Sequence, residues 1–247
     1  MRKEVELSAR LKALADMVTP GNRVCDVGCD HGFLSIYLVQ KGISPGVIAM
    51  DVRSGPLSRC VEHVALYGLD EYIETRLSDG LTALKAKEAD TMICAGMGGR
   101  LMQKILTEGR DIACGLKELI LQPQSEVKAF REFLRSQGYQ TVEENMIEEE
   151  GKYYPMMKVI PVKGREAVSS ADSLYDRYGR FLLTEQNMVL YDFLIYRSKM
   201  LKNIRNSILS EKREEKTSNT KERLAEIETE LQDIERAFAF YNGRCGQ

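Results

Sequence analysis

The chain has 247 residues, 43% hydrophobic and 29% charged, with a formal net charge of −2 at pH 7. That length allows one large domain or one domain with an appendage, and the near-neutral charge excludes a protein that coats nucleic acid indiscriminately, though not a local basic face. No apolar run approaches the roughly 20 residues of a membrane-spanning helix, and the opening MRKEVELSARL lacks the apolar core of a secretory signal, so the expected location is cytoplasmic with no membrane partner.

The first twenty residues read as a helix with Leu7, Leu11, Leu14 and Val18 on one face and Arg2, Lys3, Arg10 and Lys12 elsewhere; Pro20 and Gly21 end it. From Arg23 to Val162 short β-branched runs alternate with helical patterns, the signature of a doubly wound α/β sheet. Strands are expected at 23–27, 46–51, 72–77, 90–95 and 118–122, with helices near 31–41, 55–67, 98–108 and 125–137. Two strand-like runs at 139–148 and 152–162 then follow without a helix, predicting an antiparallel hairpin at the edge of a seven-stranded sheet. Pro155 and Pro161 fit edge positions or strand ends.

Beyond Gly164 the pattern is helical. Leu190, Leu194, Leu201, Ile204 and Ile208 recur at helical spacing, as do Leu224, Ile227, Leu231, Ile234 and Phe238, with the polar stretch EEKTSNT (214–220) between them. Residues 1–162 are therefore expected to form an α/β domain including the N-terminal helix, and 163–247 a helical hairpin resembling a coiled coil, preceded by one or more short helices.

The stretch VCDVGCDHG (24–32) spans the end of the first strand and the turn into the next helix. Cys25, Cys29 and His31 do not make a zinc site, since no remote Cys/His pair completes one, and the six cysteines show neither C-x-x-C pairs nor a disulfide framework. No metal is expected. Gly28 and Gly32 let a ligand approach the backbone, yet Asp26 and Asp30 would repel a pyrophosphate, and G-x-G-x-x-G is absent. The loop therefore suits a cofactor that is uncharged or cationic where it passes, and S-adenosylmethionine meets that requirement. Asp51, with Val52 beside it, ends the second strand, where an acid reaches ribose hydroxyls; Asp79 and Gly80 follow the third, where an acid accepts from an adenine amino group. At the fourth strand end, Ala95 and Gly96 complete the cofactor edge, and Met97, Gly98 and Gly99 leave room for a flat acceptor.

DVGCDHG, the AGMGG turn, LQPQ (121–124) and EGKYYPMMKV (150–159) together resemble the bacterial tRNA (adenine-N1)-methyltransferase family TrmK over about residues 5–162. The resemblance implies a Rossmann-like class I methyltransferase sheet, S-adenosylmethionine as cofactor, and methylation of N1 of adenine 22 in the D-arm of tRNA. His31 and Asp30 are the side chains expected nearest the transferred methyl; for His31 a ring that merely holds the turn is an equal alternative. His63 reads as a surface or packing residue. Tyr153, or Tyr154 beside it, is expected to stack on the base, with edge-strand packing the alternative for one of them. Arg10 is expected beside the cofactor mouth. Arg197, Lys199, Lys202 and Arg205 form a basic helix that either grips RNA or pairs with the glutamate-rich partner helix. The chain is expected to be a monomer or weak dimer. A methyltransferase for a protein or small molecule, or a cofactor-binding RNA scaffold without turnover, are the competing readings.

Overall fold

Alternate residues of each central strand are apolar on both faces, so the sheet has to be covered on both sides. The computed structural model, which describes residues 4–162, 173–210 and 218–242, meets that demand. The strands β1 (Val24–Val27), β2 (Val47–Asp51), β3 (Ile73–Leu77), β4 (Thr91–Met97), β5 (Glu118–Pro123), β6 (Tyr139–Glu149) and β7 (Lys152–Pro161) form one seven-stranded sheet. Its order is β3-β2-β1-β4-β5-β7-β6. The first five strands are parallel, and β7 runs antiparallel to both β5 and β6.

The hairpin occupies the edge of the sheet, as its sequence predicts, with its second strand β7 next to β5 and its first strand β6 outermost. β5 pairs with β7 through Leu119–Leu121 against Val159–Met157. Pro155 lies beyond that stretch and pairs with Met146 of β6, so its missing N–H interrupts no ladder toward β5. Pro161 ends the strand.

Cys25, Val27, Ile48, Met50, Met92, Cys94, Leu119 and Leu121 turn to one face of the sheet, beneath α4 (Gly99–Glu108) and α6 (Val127–Ser136). Val24, Val47, Ala49, Ile73, Ile93 and Ile120 turn to the other, with α1 (Ala9–Asp16), α2 (Phe33–Gln40) and α3 (Ser54–Leu66). The N-terminal helix is shorter than its apolar spacing predicts. Ser8 caps it, its side chain accepting the Leu11 N–H at 3.4 Å, and the described residues before it are not helical. α5 (Arg110–Ala113) follows Gly109 and is not separable from α4 by periodicity.

At the edge of the sheet away from the strand C-termini, the β5 residue Glu118 gathers four elements. Its carboxylate accepts from Thr19 N–H (2.9 Å), Thr19 Oγ1 (2.6 Å) and Thr91 Oγ1 (2.8 Å), and Lys158 Nζ lies 3.3 Å away. Burial pushes this carboxyl up, but the Thr19 and Thr91 hydrogen bonds and the lysine outweigh burial and hold it below its ordinary value.

The chain divides into two units, Met1–Ala171 and Asp172–Gln247. The boundary expected at 162/163 adjoins residues 163–172, outside the described set. The second unit contains α7 (Ser173–Tyr178), α8 (Arg180–Thr184), α9 (Met188–Ser210) and α10 (Ser218–Phe238). Leu190, Leu194, Leu201, Ile227, Leu231 and Ile234 are buried. Most of the expected 214–220 separator lies outside the described residues; α10 already begins at Ser218. No described helix is long and apolar enough to cross a membrane, and among the described residues no group of three or more His, Cys, Asp or Glu is arranged to hold a metal ion.

Glu118→Ala is expected to cost about 3 kcal/mol at neutral pH, because it removes the buried carboxylate that pairs with Lys158 and accepts from Thr19 and Thr91. The depressed carboxyl contributes stability that is present above the unfolded value and lost as pH falls through the lower folded one. The gap between wild type and variant in urea unfolding therefore narrows in acid; an equal gap at pH 7 and pH 3 contradicts the assignment.

Candidate active site

A cleft of roughly 480 Å³ opens at the C-terminal ends of β1 to β4, where the strand order reverses between β1 and β4. Past β1 the chain turns sharply. The N–H groups of Gly28 and Cys29 both donate to Met50 O, at 2.7 and 2.9 Å. Gly28 has φ +79°, and a Cβ there would lie 2.2 Å from Met97 Cε, so only glycine keeps the loop on this path. Gly32, at φ +75°, caps α2 with its backbone tight against Cys60, whose Sγ would lie 2.4 Å from a Cβ. Gly32 thus supports the loop from behind and does not line the cleft.

Asp26 is 4% exposed and accepts the Ser35 hydroxyl at 2.7 Å. Burial pushes its pKa up to about 6; the Ser35 bond opposes this and the nearby Asp51 charge adds to it. Asp51 is 5% exposed, and its carboxylate accepts the N–H of Arg53 at 2.8 Å and of Asp30 at 3.4 Å. Asp79 is exposed, 3.9 Å from Lys104 Nζ. The turn after β3 is pinned by Ser78, whose Oγ donates to Gly80 O at 2.9 Å and accepts Ala83 N–H at 3.1 Å. Val52 and Leu101, 60% and 46% exposed, contribute apolar walls.

The acceptor side departs from the sequence expectation. β4 continues through Gly96 to Met97, with a register shift between Ala95 and Met97 against β5. Gly96, at φ +78°, lines the cleft with Ala95 and Met97. Gly98 and Gly99 do not. They pack against the loop after β5, where Cβ atoms would lie 3.0 Å from Ser125 Oγ and 2.7 Å from Ser125 O. Gln124 N–H donates to Met97 O at 2.8 Å and Gly99 N–H to Ser125 O at 3.2 Å, lacing the two loops together.

Asp30 and His31 both line the cleft, with His31 Nε2 3.7 Å from Asp30 Oδ2. His63 is more than a packing residue: its Nδ1 lies 2.9 Å from His31 O, and its ring stacks on Phe33 with centroids 4.6 Å apart. Tyr153 is not among the lining residues. Strand alternation turns Tyr154, with Met156, toward the α1 face instead, and Arg10 sits over the Tyr154 ring at 5.5 Å. Arg10 lines the cleft. Arg53, Leu101 and Gln124 also line the cleft without being singled out by the sequence; Gln124 was visible as a polar residue directly after the apolar strand β5.

In the second unit the basic row is not presented whole. Arg197 makes two bonds to Glu230, at 2.6 and 2.9 Å, and Arg205 reaches Glu228 at 3.3 Å. The acids of α10 thus occupy these two guanidinium groups, whereas Lys199 and Lys202 are exposed.

A methyltransferase domain family model matches residues 7–157. The Bacillus subtilis tRNA (adenine(22)-N(1))-methyltransferase is 36% identical over 188 residues, covering 75% of this chain and 79% of the relative. The chain belongs to this TrmK family. Among solved structures, B. subtilis TrmK is 29% identical with a TM-score of 0.82, covering 95% of this chain and 99% of that one. The Mycoplasma capricolum TrmK complex with S-adenosylhomocysteine is 25% identical with a TM-score of 0.78, covering 95% and 98%. The TrmK likeness thus extends through both units, well past the stretch where motifs in the sequence carry it.

Gly32→Ala is expected to destabilise the protein by about 2 kcal/mol, combining the left-handed backbone penalty with overlap on Cys60. Adding Cys60→Ala should restore part of that loss in urea unfolding. If the double variant is less stable than Gly32→Ala alone, the overlap is not the cause.

Proposed function

We propose that the chain is a tRNA methyltransferase that transfers a methyl group from S-adenosylmethionine to N1 of adenine 22 in the D-arm of tRNA. The carrying observation is the convergence of Gly28, Asp51 and Asp79, from three successive strand ends, on one cleft in a TrmK-family chain.

The donor set fits the cofactor. A buried Asp26 with a raised pKa, next to a buried Asp51, is a poor neighbour for phosphate and a favourable one for cationic groups. The backbone at Gly28 approaches the cleft where any Cβ would strike Met97. In this reading Asp51 takes the ribose hydroxyls, Asp79 and Gly80 face the adenine edge between Val52 and Leu101, and Asp26, Gly28, Asp30, Ala95 and Gly96 border the amino-acid tail. Gly32 acts from behind the loop.

When bound, S-adenosylmethionine supplies an electrophilic methyl group on a positively charged sulfur. Adenine N1 carries an in-plane lone pair, so no residue has to remove a proton from it. What the protein contributes is orientation, exclusion of water and acceptors for the amino group and developing positive charge. The carbonyls of Ala95 to Met97 and the carboxylate of Asp30 serve that role, and His31 borders the transfer path. The target base must leave its stack, at a cost of a few kcal/mol. Lys199 and Lys202 of α9, both exposed, supply cationic contacts for RNA.

Incubation with labelled S-adenosylmethionine and unmodified tRNA should place the label on N1 of adenine 22 and leave free adenosine unlabelled; transfer to protein alone overturns the reading. S-adenosylhomocysteine should bind more tightly as pH rises through about 6, because its ammonium group favours ionised Asp26; Asp26→Asn should flatten that dependence in calorimetry. His31→Ala separates catalysis from loop support: a role at the transfer path lowers kcat by about tenfold or more with cofactor affinity unchanged, and unchanged turnover removes it.

A further inference from the structure

Arg10 differs from the other cations around the cleft in what holds it. Arg53 lies 3.8 Å from Asp51, Arg100 2.6 Å from Glu126 and Lys104 3.9 Å from Asp79, so each has a carboxylate partner. The Arg10 guanidinium donates instead to the amide oxygen of Gln122, at 3.2 Å, and lies over the Tyr154 ring. Glu149 accepts the backbone N–H of Arg10 at 3.1 Å; among the described residues no carboxylate stands within 4.0 Å of the guanidinium.

Gln122 is fully buried, and its Oε1 also accepts the Gly96 N–H at 3.2 Å. Both neighbours are donors, which fixes the amide orientation and leaves the buried Nε2 without a partner among the described residues. A Cβ on Gly96 would lie 3.9 Å from Arg10 Nη1, so the arginine head sits across the acceptor end of the cleft. Neutral partners hold the guanidinium in place without cancelling its charge, and most of its five N–H donors remain for a ligand.

We propose that Gln122 is a positioning residue that presents Arg10 as an anion-binding group at the acceptor end of the cleft. The inference rests on the methyl-transfer reading for the identity of the anion, which is either the carboxylate of the cofactor's amino-acid tail or a phosphate flanking the extruded adenine. Gln122 couples this group to the Gly96 bulge, so that the cation and the slot backbone move together.

The test is Gln122→Glu, which keeps an oxygen for both donors, loses only the unpartnered amide nitrogen and neutralises Arg10 in place. S-adenosylhomocysteine and 5′-methylthioadenosine, which lacks the amino-acid tail, are titrated calorimetrically; tRNA binding is measured against salt. If the anion is the carboxylate, the variant binds S-adenosylhomocysteine about tenfold more weakly and 5′-methylthioadenosine as wild type does. If it is phosphate, cofactor-product binding is unchanged, tRNA affinity falls, and the log–log salt slope becomes shallower by about 0.7. In either case Gln122→Glu added to Arg10→Met causes no loss beyond Arg10→Met alone. Gln122→Met, which buries no charge and releases Arg10, is expected to show the same direction of loss and carries the test if the acid variant melts below the assay temperature. Affinities equal to wild type on both arms overturn the assignment, as does an additive double variant. Failure of the wild type to bind S-adenosylhomocysteine overturns the parent reading, and the inference with it.

Discussion

The carbonyl oxygen of Met50, the penultimate residue of β2, accepts the N–H groups of both Gly28 and Cys29, at 2.7 and 2.9 Å. The next N–H, from Asp30, reaches the Asp51 carboxylate at 3.4 Å. Three consecutive donors from the loop after β1 are thus consumed by the end of β2, and this couples the two strand ends that form the cleft floor. The turn forces left-handed backbone at Gly28, Asp30 and Gly32. Glycine occupies two of those positions, and aspartate, one of the few other residues tolerated there, occupies the third. Asp30 therefore has a backbone reason for its identity as well as a chemical one.

The same turn brings two buried carboxylates together. In the free protein Asp26 is held at about 6, so ionising it costs folded-state stability as pH rises from the unfolded value through that range. A cation bound in the cleft relieves this cost, and an anion aggravates it. Arg10 supplies positive potential at the opposite, acceptor side, where it is held by an amide and an aromatic ring. The cleft is therefore polarised along its length: acids lie at the β1–β2 ends and a cation lies across the β4 bulge. A ligand that is cationic at one point and anionic at another matches this distribution better than one carrying a single charge.

The sheet was legible because its strands are short, apolar and punctuated, and the seven predicted runs coincide with the seven observed strands to within two residues at either end. The acids at the ends of β1, β2 and β3 were legible for the same reason, since register follows once the strands are known. Gly98 and Gly99 were misread because glycine at a strand end signals close approach without saying what approaches; here it is the Ser125 loop, not a ligand. Strand alternation admits only one of Tyr153 and Tyr154 to the α1 face, and it is Tyr154; the sequence does not say which, because it does not fix which strand of the hairpin adjoins β5. The α9 cations could not be sorted into paired and exposed from sequence, because the register of an antiparallel hairpin depends on its connecting segment.

Gln122 shows why some functional geometry stays hidden in a sequence. It lies in a strand whose six residues are all buried, where a glutamine is expensive unless its amide is satisfied. Two bonds to its oxygen, from Gly96 and Arg10, supply only part of that compensation, since Nε2 has no partner among the described residues. They join a strand end, a bulge in the neighbouring strand and an N-terminal helix 112 residues away in sequence. No local pattern encodes such a meeting; it follows from the strand order, which sets β5 beside β4, and from the reach of the Arg10 side chain from α1 to Gln122. The buried amide is thus kept by geometry that serves the cleft, since a hydrophobic residue in its place would pack as well and leave Arg10 unheld.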